Sequence, residues 1–232
     1  MKFTQKNSTR ASSLFEALVV LAVVAALAAT VILPRMARGR RCVCSRINCV
    51  NNLKQVGLGF RTWALDNNDK YPMLVSITNG GTLELIGTRS VFSHFAVMSN
   101  ELSTPKILFC PEETDPSRQS ASTFDSTVPV GSVNQVPFTN DNNITYFVGV
   151  DAVDTSPQMV LTGDRNLSVN GVLVRRRLLS LSSNDTVNWA KPRHEKGGNI
   201  GLADGSVMQV GDKGLHKAFW QTGTTTNRLD LP

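Results

Sequence analysis

Ala11–Ile32 reads ASSLFEALVVLAVVAALAATVI. From Ala17 to Leu33 the only polar side chain is Thr30, and one carboxylate, Glu16, stands at the leading edge. The length of this run predicts a helix that just crosses a hydrocarbon core at about 1.5 Å rise per residue. A charge at the mouth of such a helix costs a few kcal/mol unless something pairs with it, so Glu16 reads as a functional group.

The chain has 232 residues, enough for one globular domain plus an anchor. Its net charge of +6 is unevenly placed. Residues 1–11 carry Lys2, Lys6 and Arg10 and no acid, and Arg35, Arg38, Arg40, Arg41 and Arg46 form a second basic run. From Ile47 onward the chain is slightly acidic. The basic character therefore belongs to the N-terminal arm, and nucleic acid is not an expected partner. The arginine run reads as solvated juxtamembrane charge, with anionic lipid head groups or DNA as the alternatives.

Three export signals fit residues 1–34 to different degrees. A secretory signal peptide needs a shorter apolar region and a small-residue cleavage site after it, and neither is present. A signal anchor places Lys2, Lys6 and Arg10 in the cytoplasm, as the positive-inside rule wants. The five arginines after Leu33 oppose that orientation, and Glu16 stays unexplained. In the third reading, the block resembles the class III signal of type IV pilins and type II secretion pseudopilins: a basic leader, a small residue, a cut, then an apolar helix with Glu at mature position five. The resemblance places the cut between Ala11 and Ser12, where the family usually has Gly and Phe. It implies cleavage by a prepilin peptidase and pairing of Glu16 with the new α-amino group of a neighbouring subunit. Two buried charges tolerable only as a pair would set an assembly register.

Helical periodicity continues through Met36, Val43, Ile47, Val50, Leu53, Val56, Leu58 and Phe60. Pro34 predicts a kink, and Gly39, Gly57 and Gly59 weaken the helix. DNNDKYP (Asp66–Pro72) is a stop, because Asn and Asp favour turns and Pro72 disfavours helix before it. Its acids lack the spacing of a calcium loop. One helix from about Ser13 to Leu65, roughly 80 Å long, is the expectation. Its second half should lay an apolar stripe on a globular domain.

Beyond Tyr71 the pattern is mixed. Ser90–Met98 reads as a short helix and KILFC (Lys106–Cys110) as a short β run. Residues 112–143 read as a long polar loop. Ile144–Val150 and Pro157–Asp164 are the clearest strands, and Asn170-Gly171 is a hairpin turn. Asn199–Ala203 and Ser206–Val210 flank Asp204-Gly205, which predicts a type I′ turn. A last helix is expected from about Lys213 to Thr222.

His194, nine residues, then Asp204-Gly205 resembles the prepilin-like family of Planctomycetes and Verrucomicrobia with a C-terminal H-x9-DG motif. CVNNLKQVGL (Cys49–Leu58), DNNDKYP and FCP (Phe109–Pro111) resemble that family's other marked segments. The fold implied is α+β and pilin-like, a long N-terminal helix packed on a C-terminal antiparallel β-sheet domain. The divisions are a leader over 1–11, a transmembrane or filament-core helix over 12–34, its continuation over 35–68, and the α+β domain over 69–232. The function implied is a structural subunit of a type IV pilus or type II secretion-like apparatus, N-methylated after cleavage. Its partners would be prepilin peptidase, other pilin or pseudopilin subunits and inner-membrane lipid. The location would be the inner membrane, single pass, with a periplasmic domain later carried to a filament or the cell surface. A signal-anchored binding protein that forms no filament is the alternative.

No nucleophile elbow, P-loop or H-E-x-x-H is present, and the chain does not read as an enzyme. His194 and Asp204 could meet across a hairpin, with Asp164 joining them. That leaves a structural hydrogen bond, or a metal or calcium site of the kind some pseudopilins carry. Cys42, Cys44, Cys49 and Cys110 form no C-x-x-C pair. Cys42 and Cys49 lie about 10.5 Å apart along the helix axis and cannot bridge. Cys49 and Cys110 are a candidate disulfide that would tie the helix to the domain, with two buried free thiols as the alternative.

Overall fold

The computed structural model describes residues 14–129, 135–175, 177–190, 194, 197–221 and 223–232, with backbone alone at 14–15, 31–45 and 177. The leader over 1–11 and the Ala11–Ser12 cut lie outside the described residues. So do the side chains of Cys42, Cys44 and Arg35–Arg41. The chain divides into two compact units, Met1–Cys44 and Ser45–Pro232.

Helix α1 is Leu14–Leu65 and runs through both units. Among the described side chains of the first unit, those over 16–30 are exposed. Among the described residues no helix is long and apolar enough to cross a membrane. This corrects the transmembrane helix expected over 12–34, and with it the membrane-spanning form of the pilin reading and the single-pass inner-membrane location.

Among the described residues, the second unit is built mainly of nine antiparallel strands: β1 Tyr146–Gly149, β2 Val160–Asp164, β3 Leu167–Val169, β4 Val172–Leu173, β5 Arg177–Ser182, β6 Val187–Trp189, β7 Gly198–Leu202, β8 Val207–Val210 and β9 Thr226–Leu231. Six form one sheet in the order β5-β9-β1-β2-β7-β8, and three form a second in the order β4-β3-β6. Three short helices accompany them: α2 Phe92–Ala96, α3 Ser99–Leu102 and α4 Asp212–Trp220.

The pilin-like class, a long helix packed along one sheet, is therefore corrected. Strands in two sheets dominate the folded body. Within the second unit α1 packs there through Cys49, Leu53, Val56, Phe60, Trp63 and Ala64. Ile47 and Leu58, expected on the packed stripe, are exposed. They lie off the face that the buried residues share at spacings of three and four.

The large sheet is buried on both faces. Along β1, Val148 faces a core with Val56, Phe60, Tyr71, Phe95 and Leu161, while Phe147 faces a core with Trp189, Ile200, Leu215 and Phe219. That is why Ile144–Val150 reads as a continuous apolar run without alternation. Helix α4 covers the second face. Its Asp212 Oδ1 accepts from Trp189 N (2.8 Å), and Trp189 Nε1 donates to Val210 O (2.8 Å).

Two local expectations are corrected. Lys106–Cys110 is not a strand, because Pro105 starts a 3-10 turn over Pro105–Leu108 that Thr104 caps. Asp204-Gly205 is not a type I′ turn, since Gly205 alone has positive φ, +82°. Gly205 N donates to Leu202 O (3.0 Å) and Leu202 N to Ser206 O (2.9 Å), closing a three-residue loop with glycine at the left-handed position. Asn170 and Gly171 both have positive φ, 52° and 80°, as a type I′ turn requires.

Candidate functional site

The four sequence marks converge on one seam, between the end of α1 and the β7–β8 hairpin. Cys49 and Cys110 are joined by a disulfide with Cα atoms 5.3 Å apart. Three residues along α1, Asn52 Nδ2 donates to Phe109 O (3.3 Å). One turn further, Gly57 lies against the hairpin tip. A Cβ built there would sit 3.1 Å from Gly205 Cα. Arg61 Nη1 donates to Asp204 O (3.1 Å), and Arg61 Nε lies 3.5 Å from Asp154 Oδ1. Tyr71 Oη donates to Ala203 O (2.8 Å), with Asp154 Oδ1 at 3.2 Å. Burial, reinforced by the Asp154 carboxylate, pushes the Tyr71 phenol up, so it stays a donor at any physiological pH.

His194 and Asp204 do not meet. Nε2 of His194 lies 3.6 Å from Asp164 Oδ2 and 3.7 Å from Cys110 Sγ. Asp204 stays at the hairpin tip, where its Oδ1 accepts from Ser206 N (2.8 Å). The reason is the hairpin's length: the motif's two ends sit at opposite ends of β7. Asp164 closes β2 and is fixed by Asn199, whose backbone N (2.8 Å) and Nδ2 (3.2 Å) both donate to Oδ2. His194, Asp164, Cys49 and Cys110 are all buried. As for a metal, the donor atoms of Cys49, Cys110 and His194 lie within 4.8 Å of one another. Asp204 is not part of that group.

A second buried polar group was not legible in the sequence. Thr82 Oγ1 lies 2.7 Å from His94 Nδ1, and His94 Nε2 lies 3.5 Å from Asp230 Oδ2, which also accepts from Gly87 N (2.9 Å). Hydroxyl, imidazole and carboxylate stand in the order of a catalytic relay. All three residues are fully buried, so no substrate reaches the hydroxyl. The group ties β9 to the segment before α2. Thr82, Gly87 and His94 come from one stretch and Asp230 from the far end of the chain, with no shared motif.

Close to FCP, Arg165 spans Glu113 Oε2 (3.1 Å) and Asp115 Oδ2 (2.9 Å). Hydrogen bonds from the Ser117 hydroxyl and backbone N, helped by Arg165, hold the Asp115 carboxyl down at about 2. A depressed carboxylate stabilises the fold above its unfolded value of about 3.9 and loses that contribution as pH falls through the folded value. Asp115→Asn should therefore cost up to about 1 kcal/mol at pH 7, the side chain being partly solvated. In urea unfolding, the gap to wild type should close as pH drops from about 4 to about 2. An equal gap at both ends would show that the charge is not what stabilises.

Comparison of the chain with family models, curated proteins and solved structures finds no match.

Proposed function

We propose that the protein is a structural subunit of a type IV pilus- or type II secretion-like assembly, processed by a prepilin peptidase and assembled through the helical segment that Glu16 opens. The observation that carries this reading is the exposed apolar surface of that segment. Leu18, Val19, Val20, Leu21, Val23, Val24 and Leu27 are between 46% and 70% exposed. An apolar surface of this kind on every side of a helix needs partners to cover it. Glu16, itself exposed, stands at its leading edge, where an amine of another subunit can pair with it. The seam supports the same role. Its groups tie the end of α1 to the β7–β8 hairpin and hold the fold together.

The test is the N-terminus of the protein purified from its native source, by intact mass and N-terminal peptide mapping. A chain that begins at Ser12 supports the proposal, and one that retains Met1–Ala11 overturns it. Glu16→Ala should then leave the domain folded by circular dichroism and abolish self-association in sedimentation velocity.

A further inference from the structure

The geometry points to a second state of the seam, in which Cys49, Cys110, His194 and Asp164 hold one zinc ion once the disulfide is reduced. The four residues come from separate elements: α1, the turn after Pro105–Leu108, the stretch before β7, and the end of β2; the donor atoms of Cys49, Cys110 and His194 lie within 4.8 Å of one another, and Asp164 stands beside His194. In a tetrahedral zinc site with bonds of about 2.3 Å to sulfur and 2.0–2.1 Å to nitrogen or oxygen, neighbouring donors lie roughly 3.4–3.8 Å apart. His194 Nε2 already stands 3.7 Å from Cys110 Sγ and 3.6 Å from Asp164 Oδ2. The two sulfurs must part, to about 3.8 Å, and the Asp164 carboxylate must close on them from its place beside His194.

The surroundings suit an ion. All four side chains are withdrawn from water, and the nearby shell is apolar, with Leu53, Tyr146 and Val207. Asn199 donates twice to the Asp164 oxygen that would bind, orienting it as an outer-shell partner does. Zinc offsets two of the three anionic ligands, and the Asn199 donors lie against the third.

The chemistry balances with a dithiol reductant. The dithiol is oxidised to its disulfide, and Cys49 and Cys110 each take up one electron and one proton. Zinc then displaces both thiol protons and binds the neutral imidazole at Nε2. This state would keep α1 tied to the sheet before oxidation or after reduction. It does not depend on assembly through Glu16.

The test uses the full chain with Cys42→Ser and Cys44→Ser, so that two thiols remain. Cobalt(II) is titrated into the protein oxidised, and again after reduction with a phosphine that does not compete for the metal. The expected result is one equivalent of tetrahedral thiolate–cobalt absorption after reduction and none before. Zinc should displace it. His194→Ala and Asp164→Asn should each weaken binding at least tenfold, the scale on which even outer-shell partners act. Equal cobalt uptake by oxidised and reduced protein overturns the inference, as does unchanged affinity in both variants. If reduction unfolds the chain, zinc should restore its folded circular dichroism signal. Failure of zinc to do so equally overturns the inference.

Discussion

Cys49→Ala/Cys110→Ala, in the presence of a chelator, should lower the free energy of unfolding by about 4 kcal/mol, the cost of freeing a loop that spans 61 residues. The bond joins α1 to the turn before residue 111, and the polar stretch 112–143 follows directly. Without it, both ends of that loop gain freedom in the unfolded chain. The folded state also loses contact, because the two sulfurs pack with Leu53 and Tyr146 in a small separate cluster. His194 loses its sulfur neighbour while staying beside Asp164. Urea unfolding with and without phosphine reductant checks this. Wild type should be shifted by the reductant and the double variant should not. A wild-type midpoint that ignores reduction would mean that the bond is not what holds the seam.

Much of this seam was legible in the sequence as separate marks, but not as one place. Cys49 on a predicted helix and Cys110 on a predicted β run suggested a bridge, and the two residues are bonded. The H-x9-DG spacing drew attention to His194 and Asp204, but spacing does not show which way a hairpin lays its ends. His194 faces Asp164, and the Asp204 turn faces α1. The strand reading of Lys106–Cys110 failed because a short apolar run is outweighed by a proline that starts a 3-10 turn. Strand β9 was missed altogether. TNRLDL mixes charged and apolar residues, yet β9 lies between β5 and β1, with Leu229, Asp230 and Leu231 buried. Asp230 is tolerated there only because Gly87 and His94 face it. Those partners lie more than a hundred residues away, where no local pattern points to them.

Gly57 and Gly59 look alike in the sequence, as two glycines that weaken one helix. In the fold they differ, and the difference predicts opposite outcomes. At Gly59 an added Cβ meets the end of the Leu102 side chain at 2.8 Å, and a side chain can turn aside. Gly59→Ala should therefore be near neutral, the helix gain of up to about 1 kcal/mol offsetting the adjustment. At Gly57 the neighbour is the backbone of the hairpin tip, 3.1 Å from a Cβ. Gly57→Leu cannot be accommodated by any rotamer that leaves Gly205 in place. The tip must lift from α1. The hydrogen bonds from Arg61 to Asp204 O and from Tyr71 to Ala203 O are then strained or broken together. Overpacking of this kind costs about 1–3 kcal/mol, and the lost bonds place Gly57→Leu at the upper end, near 3 kcal/mol. Thermal unfolding of the two variants beside wild type separates the cases. If Gly57→Leu melts with Gly59→Ala, the hairpin tip is not seated on the helix.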